Sequence, residues 1–228
     1  MSESLVIVFV LYPDVTQLDF AGPAQVLARL PGASVVYASP TGGNVMTDSG
    51  FAVADTVPLT SVKGCHILCV PGGAGTGAMC ADRAALAEIA RLAEGARYLT
   101  SVCTGSLILG AAGLLKGKRA ASHWAWRDML PHFGATPDAA RVVRDRNVFT
   151  GGGVTAGIDF ALTLAAEVAG EDVAKAIQLG IEYAPAPPFD CGRPEAAPEA
   201  IRALIVSRNA ARREQLRSHF ANSAEAIP

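Results

Sequence analysis

Short runs rich in β-branched residues alternate along this chain with longer segments rich in alanine and leucine. The runs that predict strands lie at 5–11, 34–39, 65–70 and 98–102. The segments that predict helices lie at 16–30, 83–95, 124–133, 155–168 and 171–182. Parallel neighbours need a long crossover connection, and a helix usually supplies it. The alternation therefore predicts an α/β fold with a mostly parallel sheet and helices on both faces.

Two segments depart from this alternation of strands and helices. The segment 50–59 predicts part of a peripheral hairpin, and the proline-rich stretch 184–198 predicts a linker before a final helix at about 199–220. With 228 residues, of which 50% are hydrophobic, the chain is long enough for one well-buried domain. We expect a single domain over residues 1–228, with the C-terminal helix as part of it.

Charge, cysteine content and apolar run lengths exclude several classes of protein. The net charge of −2 gives no reason to expect a nucleic acid partner. The first apolar run is too short to cross a bilayer and lacks the features of a signal peptide, so we expect no membrane partner. Five cysteines, an odd number without repeated short spacing, favour a reducing compartment. These features together predict a cytoplasmic protein.

Metal-ligand spacing is missing from the sequence. Cys65 and Cys69 share one predicted strand, and they belong to no cluster of histidine and cysteine that would make a metal site. We therefore expect no metal site and no cofactor.

The stretch "SVCTGSLILGAAGLL" places Cys103 where a predicted strand ends and a helix begins. A nucleophile on a sharp strand-to-helix turn needs small neighbours, which Thr104, Gly105 and Ser106 supply. The positive end of the helix would favour a thiolate there. An inert buried thiol is the alternative, and spacing alone does not separate the two.

Two further strand ends carry unusual residues. Asp19 lies in "QLDFAGP" after the first strand, and Gly72 and Gly73 lie in "VPGGAGTG" after the third. An acid in an apolar segment is costly unless it is paired or functional, although Asp19 could also cap the following helix. Glycine amides that are not otherwise bonded could stabilise an anion. Because ligands bind beyond the carboxyl ends of parallel strands, we expect these residues to converge with Cys103.

Three secondary candidates come later in the chain. His123 in "AASHWAW" could act as an acid or base if it reaches Cys103, and a satisfied structural histidine is the alternative. Gly152 and Val154 lie in "TGGGVTAGIDF", a glycine-rich loop that opens a helix, for which a tight turn is the structural alternative.

The motifs "QLDFAGP", "VCTGS" and "EYAPAPPF" together resemble the PfpI/ThiJ superfamily, and within it the branch that hydrates isocyanides. The resemblance covers most of the chain. It implies a glutamine-amidotransferase-like, flavodoxin-type sandwich with a cysteine nucleophile elbow, and it suggests a homodimer. It also implies that Cys103 is the nucleophile and Asp19 the acid-base partner. Thr104 stands where the protease-like branch has histidine, which argues against a Cys-His peptidase.

The implied chemistry requires no histidine. A thiolate attacks the terminal carbon of an isocyanide, a carboxylic acid supplies a proton to give a thioimidate, and the carboxylate then activates water to give an N-substituted formamide. A carboxyl beside a thiolate should resist ionising, so we expect its pKa to rise. Thr104 and the amides of Gly72 and Gly73 could position the substrate or water.

Two alternatives remain at this point. A glyoxalase, deglycase or stress-protective member of the superfamily would use the same cysteine on reactive carbonyls. A transcription regulator of the AraC-fused type would need a helix-turn-helix domain, and only about thirty residues follow the predicted linker. The basic residues of the last helix are better explained as the solvated face of an amphipathic helix, whose other face carries Ile201, Leu204, Ile205 and Leu216.

Overall fold

A computed structural model describes residues 4–224 as an α/β protein. In chain order, its strands are β1 (Leu5–Val10), β2 (Ala33–Ser39), β3 (Gly43–Met46), β4 (Ala52–Pro58), β5 (Ile67–Val70), β6 (Tyr98–Val102), β7 (Arg119–Ala120), β8 (Thr136–Pro137), β9 (Val142–Asp145) and β10 (Val148–Gly151). Its α-helices are α1 (Gln17–Leu27), α2 (Thr76–Ala81), α3 (Arg83–Gly95), α4 (Gly105–Ala111), α5 (Ala156–Ala169), α6 (Glu171–Gly180) and α7 (Glu199–Ala224).

Eight strands form the main sheet in the order β3-β4-β2-β1-β5-β6-β10-β9. The six inner strands run parallel to one another, and the edge strands β3 and β9 are antiparallel to their neighbours β4 and β10. β5 and β6 are buried along their whole length, as is most of β1. Strands that are covered on both faces need apolar runs, and the sequence supplies them here. The predicted mostly parallel sheet is confirmed.

The strand order reverses direction between β1 and β5. From β1 the chain crosses through α1 to β2 on one side, and from β5 it crosses through α3 to β6 on the other. Because such crossovers are right-handed, α1 and α3 lie on opposite faces of the sheet. Helix α1 packs against α5, whereas α3 and α4 pack with α2. The helices on both faces are therefore as predicted, and the reversal marks where a ligand site is expected.

The structure corrects one local prediction and confirms another. The predicted helix at 124–133 is a 3₁₀-helix over Arg127–Phe133. Pro131 within it lacks the N–H that an α-helix would use, and Gly134 ends it with a φ of 68°. The predicted peripheral hairpin is present, since β4 pairs with β3 at the sheet edge.

Helix α7 follows a stretch without helix or strand over 184–198, as predicted. Its second half docks on the 3₁₀-helix: Arg213 and Arg217 bind Asp128 at 2.6 and 2.8 Å, and Arg212 lies over the ring of Trp126. The predicted apolar face is only partly covered. Leu216 is 4% exposed, whereas Leu204 is 46% exposed. Within residues 4–224, no helix is both long and apolar enough to cross a membrane.

Candidate active site

Cys103, Asp19 and the glycine loop (residues 71–75) meet where the sheet order reverses. Cys103 follows β6, the glycine loop follows β5, and Asp19 lies in the first turn of α1 after β1. The amide of Gly72 donates to Asp19 Oδ2 at 2.9 Å, and the Asp19 carboxyl interacts directly with the Cys103 side chain. The structure thus brings together the residues that sequence reasoning placed at three separate strand ends.

Cys103 occupies a sharp turn, the elbow (residues 102–105), between β6 and α4. Its φ of 54° lies in the left-handed region, which is uncommon and strained for a residue other than glycine. The strain is held by hydrogen bonds on both sides. The Cys103 amide donates to Gly151 O at 3.0 Å, and its carbonyl accepts from Ser106 Oγ at 3.2 Å and Ser122 Oγ at 3.1 Å. The side chain is almost entirely buried.

Asp19 is fully buried and does not cap its helix. Thr16 occupies the N-cap position of α1, so the capping alternative does not explain this acid. Oδ2 accepts from Gly72, whereas Oδ1 has no nitrogen or oxygen partner among residues 4–224. A buried carboxylate oxygen without a donor is costly in a purely structural role.

Burial controls the protonation of the pair. It raises the pKa of Asp19 from 3.8 to about 7, although the hydrogen bonds with Gly72 and Cys103 oppose the rise. The expected direction of the change in the carboxyl pKa is therefore confirmed, but its cause is burial and not the neighbouring sulfur, whose hydrogen bond lowers the Asp19 pKa.

The sulfur behaves differently from the sequence-based expectation. Burial and then the Asp19 charge raise the pKa of Cys103 well above its ordinary value, so the prediction of a depressed thiol pKa is wrong in direction. The Thr104 amide and hydroxyl oppose that rise by hydrogen bonding to the sulfur. The local donors at the start of α4 do favour the thiolate, but they do not outweigh burial beside a carboxyl.

The amides of the glycine loop are already bonded. Gly72 N–H is taken by Asp19, and Gly73 N–H donates to Thr104 Oγ1 at 3.1 Å. These two amides therefore hold the side chains of Asp19 and Thr104 in place, and they are not available to bind an anion. Gly72 has no room for a side chain, because a Cβ there would lie 2.5 Å from both Thr104 N and Thr104 Oγ1.

Sequence reasoning missed two hydroxyl groups behind Thr104. Thr76 Oγ1 lies 2.7 Å from Thr104 Oγ1 and donates to Gly73 O at 2.8 Å. Tyr12, which is fully buried, donates to Pro71 O at 2.8 Å and lies 3.3 Å from Thr76. The polar end of Tyr12 after a buried strand was the available sequence indication. These two hydroxyls hold the glycine loop in place by donating to its carbonyl groups.

The secondary candidates lie outside this cluster. Within the described residues, His123 makes no hydrogen bond to Cys103 or Asp19; its Nδ1 accepts from Ala125 N at 3.3 Å. Burial, followed by the nearby Arg212 charge, lowers its pKa. Gly152 donates to Arg141 O at 2.9 Å, and Val154 packs half-buried against the core. Gly151, which precedes Gly152, is the residue of this region that contacts the elbow, because its carbonyl accepts the hydrogen bond from the Cys103 amide.

Two surface grooves lie near the site without including its reacting groups. One, of about 320 Å³, is lined by Tyr12, Asp14, Gly75 and residues of β2 and β3; the other, of about 450 Å³, lies between α2 and α7. Neither groove is lined by Cys103 or Asp19. Across residues 4–224, no group of three or more His, Cys, Asp and Glu side chains comes together as metal ligands would.

Comparison with known proteins matches this arrangement to a family. The model of the DJ-1/PfpI family matches residues 5–167, which include the elbow, Asp19 and the glycine loop. The chain belongs to the DJ-1/PfpI family.

Individual members of the family show close similarity. The crystal structure of a THiJ/PfpI family protein from Pseudomonas syringae superposes with a TM-score of 0.92 at 41% identity, over 95% of this chain and 90% of that one. An isonitrile hydratase of Pseudomonas putida is 53% identical over 198 residues, or 87% of each chain. The HTH-type transcriptional regulator GlxA of Rhizobium meliloti is 29% identical over 68% of this chain, and this covers 48% of the regulator.

Proposed function

We propose that this protein is an isocyanide hydratase that adds water to R–N≡C and releases an N-substituted formamide. The observation that carries the proposal is the buried pair of Cys103 and Asp19, in which a carboxyl with a pKa of about 7 lies beside a thiol. Such a carboxyl can give up a proton and take one back near neutral pH. The 53% identity to an isonitrile hydratase supports the substrate class.

The first step needs one proton on the pair. Because burial and the Asp19 charge hold the pKa of Cys103 above that of Asp19, this proton rests on the sulfur and first moves to the Asp19 carboxylate. The transfer leaves a thiolate that the Thr104 amide and hydroxyl stabilise. The thiolate attacks the terminal carbon of the isocyanide and forms a C–S bond. Asp19 transfers its proton to that carbon, which gives the thioimidate R–N=CH–S and leaves Asp19 as a carboxylate.

The second step uses the same carboxyl in reverse. Asp19 accepts a proton from water while the water oxygen attacks the thioimidate carbon. As the C–S bond breaks and restores the thiolate, the hydroxyl proton of the adduct passes to the nitrogen, the carbon–oxygen double bond forms, and R–NH–CHO leaves. The active site returns to its starting state with one proton on the pair. We propose that Gly72 holds the carboxyl throughout through its bond to Oδ2, and that Gly73 positions the Thr104 hydroxyl.

The test is an ultraviolet assay for conversion of p-nitrophenyl isocyanide to its formamide. Wild-type enzyme should turn over, and Cys103→Ala should not, because no other group can form the thioimidate. Cys191→Ala is the matched control, since this thiol lies in the stretch before α7 and is not part of the elbow. Methylglyoxal is assayed in parallel. Turnover of methylglyoxal alone would place the protein among the enzymes that act on reactive carbonyls.

We further propose that residues 1–228 act as one domain, in the cytoplasm and as a homodimer. The burial of Leu216 against the common core supports the inclusion of α7 in that domain. The odd number of cysteines, without repeated short spacing, supports a reducing compartment. Size-exclusion chromatography with light scattering tests the dimer.

A further inference from the structure

Helix α1, which carries Asp19, receives its N-terminal cap from a distant part of the chain. Thr16 occupies the N-cap position but makes no capping bond of its own. Instead, the Asp48 carboxylate in the hairpin turn (residues 47–50) binds both the N-cap residue and the first residue of α1. Its Oδ2 accepts from Thr16 Oγ1 at 2.7 Å, and its Oδ1 accepts from Gln17 N at 3.2 Å. A carboxylate at this position satisfies a helix amide and suits the positive end of the helix.

The hairpin turn is also tied to the segment between β1 and α1 by backbone bonds. Asp48 N donates to Val15 O at 3.0 Å, and Val15 forms isolated bridges with both Thr47 and Gly73. On the other side, Thr16 N donates to Gly72 O at 2.9 Å. The start of α1 is therefore held between the hairpin turn and the glycine loop. Asp19, whose carboxyl the glycine loop binds, follows directly in the first turn of the helix.

We propose that Asp48 is a positioning residue for the acid-base step, which caps α1 and so fixes the Asp19 carboxyl against Gly72 and Cys103. The proposal rests on the function proposed above and adds a residue 29 positions away that touches neither the sulfur nor the substrate. It also gives the hairpin turn a role in the chemistry, because the turn supplies the only carboxylate that bonds the start of α1 within residues 4–224.

The charge of Asp48 adds an electrostatic effect to its hydrogen bonds. It raises the pKa of Asp19, in the same direction as burial does. The other titratable groups that interact with Asp19 are Cys103 on the elbow, Cys69 on β5 and Tyr12 after β1. Asp48 is exposed, so salt should screen its effect, whereas the effect of burial should persist.

Three variants separate capping from charge. Asp48→Asn keeps an oxygen for the Gln17 amide but removes the charge; Asp48→Ala removes both. Asp55→Asn is the matched control, because it makes the same charge change on β4 and Asp55 bonds Asn44 rather than α1. Each is assayed for p-nitrophenyl isocyanide hydration and for the pH dependence of Cys103 alkylation by iodoacetamide, at low and high salt.

Removal of a negative charge should make the pair easier to ionise. Asp48→Asn should therefore move both the rate profile and the alkylation profile to lower pH by a few tenths of a unit at low salt, and by less at high salt. Asp48→Ala should in addition lower kcat by roughly tenfold with little change in KM, because Asp19 is held less tightly. Asp55→Asn should match wild type in every assay.

The alkylation profile keeps the two proposals distinguishable. It needs no isocyanide turnover, so a wild-type enzyme that fails to hydrate isocyanides would contradict the proposed function and leave this measurement intact. An Asp48→Asn profile that coincides with that of Asp55→Asn, together with an Asp48→Ala variant that keeps full kcat, would overturn the role of Asp48.

Discussion

At the scale of single residues, the site depends on one acid that is buried far more deeply than acids usually are. Asp19 is fully buried next to a thiol that is itself almost fully buried. Water would lower the pKa of both groups, and its exclusion leaves the pair holding a proton near neutral pH. The burial that lets Asp19 exchange a proton near neutral pH also destabilises the carboxylate form of this side chain.

Asp19→Asn should destroy activity without disturbing the binding geometry. The amide keeps an oxygen for the Gly72 N–H but cannot donate and accept a proton in turn, so kcat should fall by about 10²- to 10⁴-fold. His123→Gln is the comparison, and it should cost less than about tenfold because His123 bonds Ala125 and not the pair. Steady-state kinetics of both variants decides the matter. A dead His123→Gln enzyme beside an active Asp19→Asn enzyme would assign the proton transfer to the histidine.

The same substitution should stabilise the fold in a defined pH range. The pKa of Asp19 is 3.8 unfolded and about 7 folded, so the folded state holds a proton that the unfolded state has lost between these values. Wild-type stability from this group therefore falls as pH rises from about 4 to about 7, by about 4 kcal/mol in total. Asn does not titrate, so urea unfolding should find Asp19→Asn increasingly more stable than wild type across this range. A stability difference that is constant with pH would contradict the raised pKa.

At the scale of elements, three chain segments that are far apart in sequence are packed against one another with no spare space. The glycine loop bonds Asp19 through Gly72, bonds Thr104 through Gly73, and is braced by the hydroxyls of Thr76 and Tyr12. The elbow is held by β10 through Gly151. Precise placement of the two reacting groups therefore depends on backbone contacts as much as on side chains.

Gly72→Ala should therefore disable the site. The new methyl group would lie 2.5 Å from Thr104 N and 3.0 Å from Asp19 Oδ2, so the loop must move away from the elbow. A displacement near 1 Å costs about 10²-fold in rate. Gly64→Ala is the control, because a Cβ at Gly64 has no atom within 4 Å among the described residues. Equal activity of the two variants would show that the loop tolerates displacement.

At the scale of the whole molecule, α7 joins the rest of the protein through only one of its halves. The second half buries Leu216 and pairs Arg213 and Arg217 with Asp128, whereas the first half leaves Leu204 exposed. Exposed ion pairs contribute little, so buried apolar area should dominate the docking of this helix.

The two leucines of α7 provide a matched pair for this prediction. Leu216→Ala should reduce the free energy of unfolding by about 2 kcal/mol or more, the usual cost of a buried leucine. Leu204→Ala should change it by less than about 0.5 kcal/mol, because the side chain is largely exposed. Urea denaturation of both variants measures the difference. A large loss in Leu204→Ala would instead indicate that this face is covered in solution, as it would be in a dimer interface.

The sequence alone predicted helices on both faces of a parallel sheet, its central strands β1, β2, β5 and β6, and the chemistry-bearing residues, whereas β9 and β10 were not among the predicted strands. Short runs rich in β-branched and aromatic residues, such as 98–102, favour strands, and the small residues after Cys103 allow a sharp turn. These features depend on local sterics and on hydrophobic period, which adjacent residues carry. The motifs "QLDFAGP", "VCTGS" and "EYAPAPPF" together also indicated the family, and the family model matches residues 5–167.

How these residues act on one another depends on contacts between segments that are distant in the sequence. The direction of the Cys103 pKa depends on burial beside Asp19, 84 residues away in sequence, and it overrides the local effect of the helix start. The bonding of the glycine amides, the hydroxyls of Thr76 and Tyr12, and the cap that Asp48 gives to α1 likewise join distant segments. Desolvation and long-range hydrogen bonds have no local sequence pattern, because each depends on what the fold brings next to a residue.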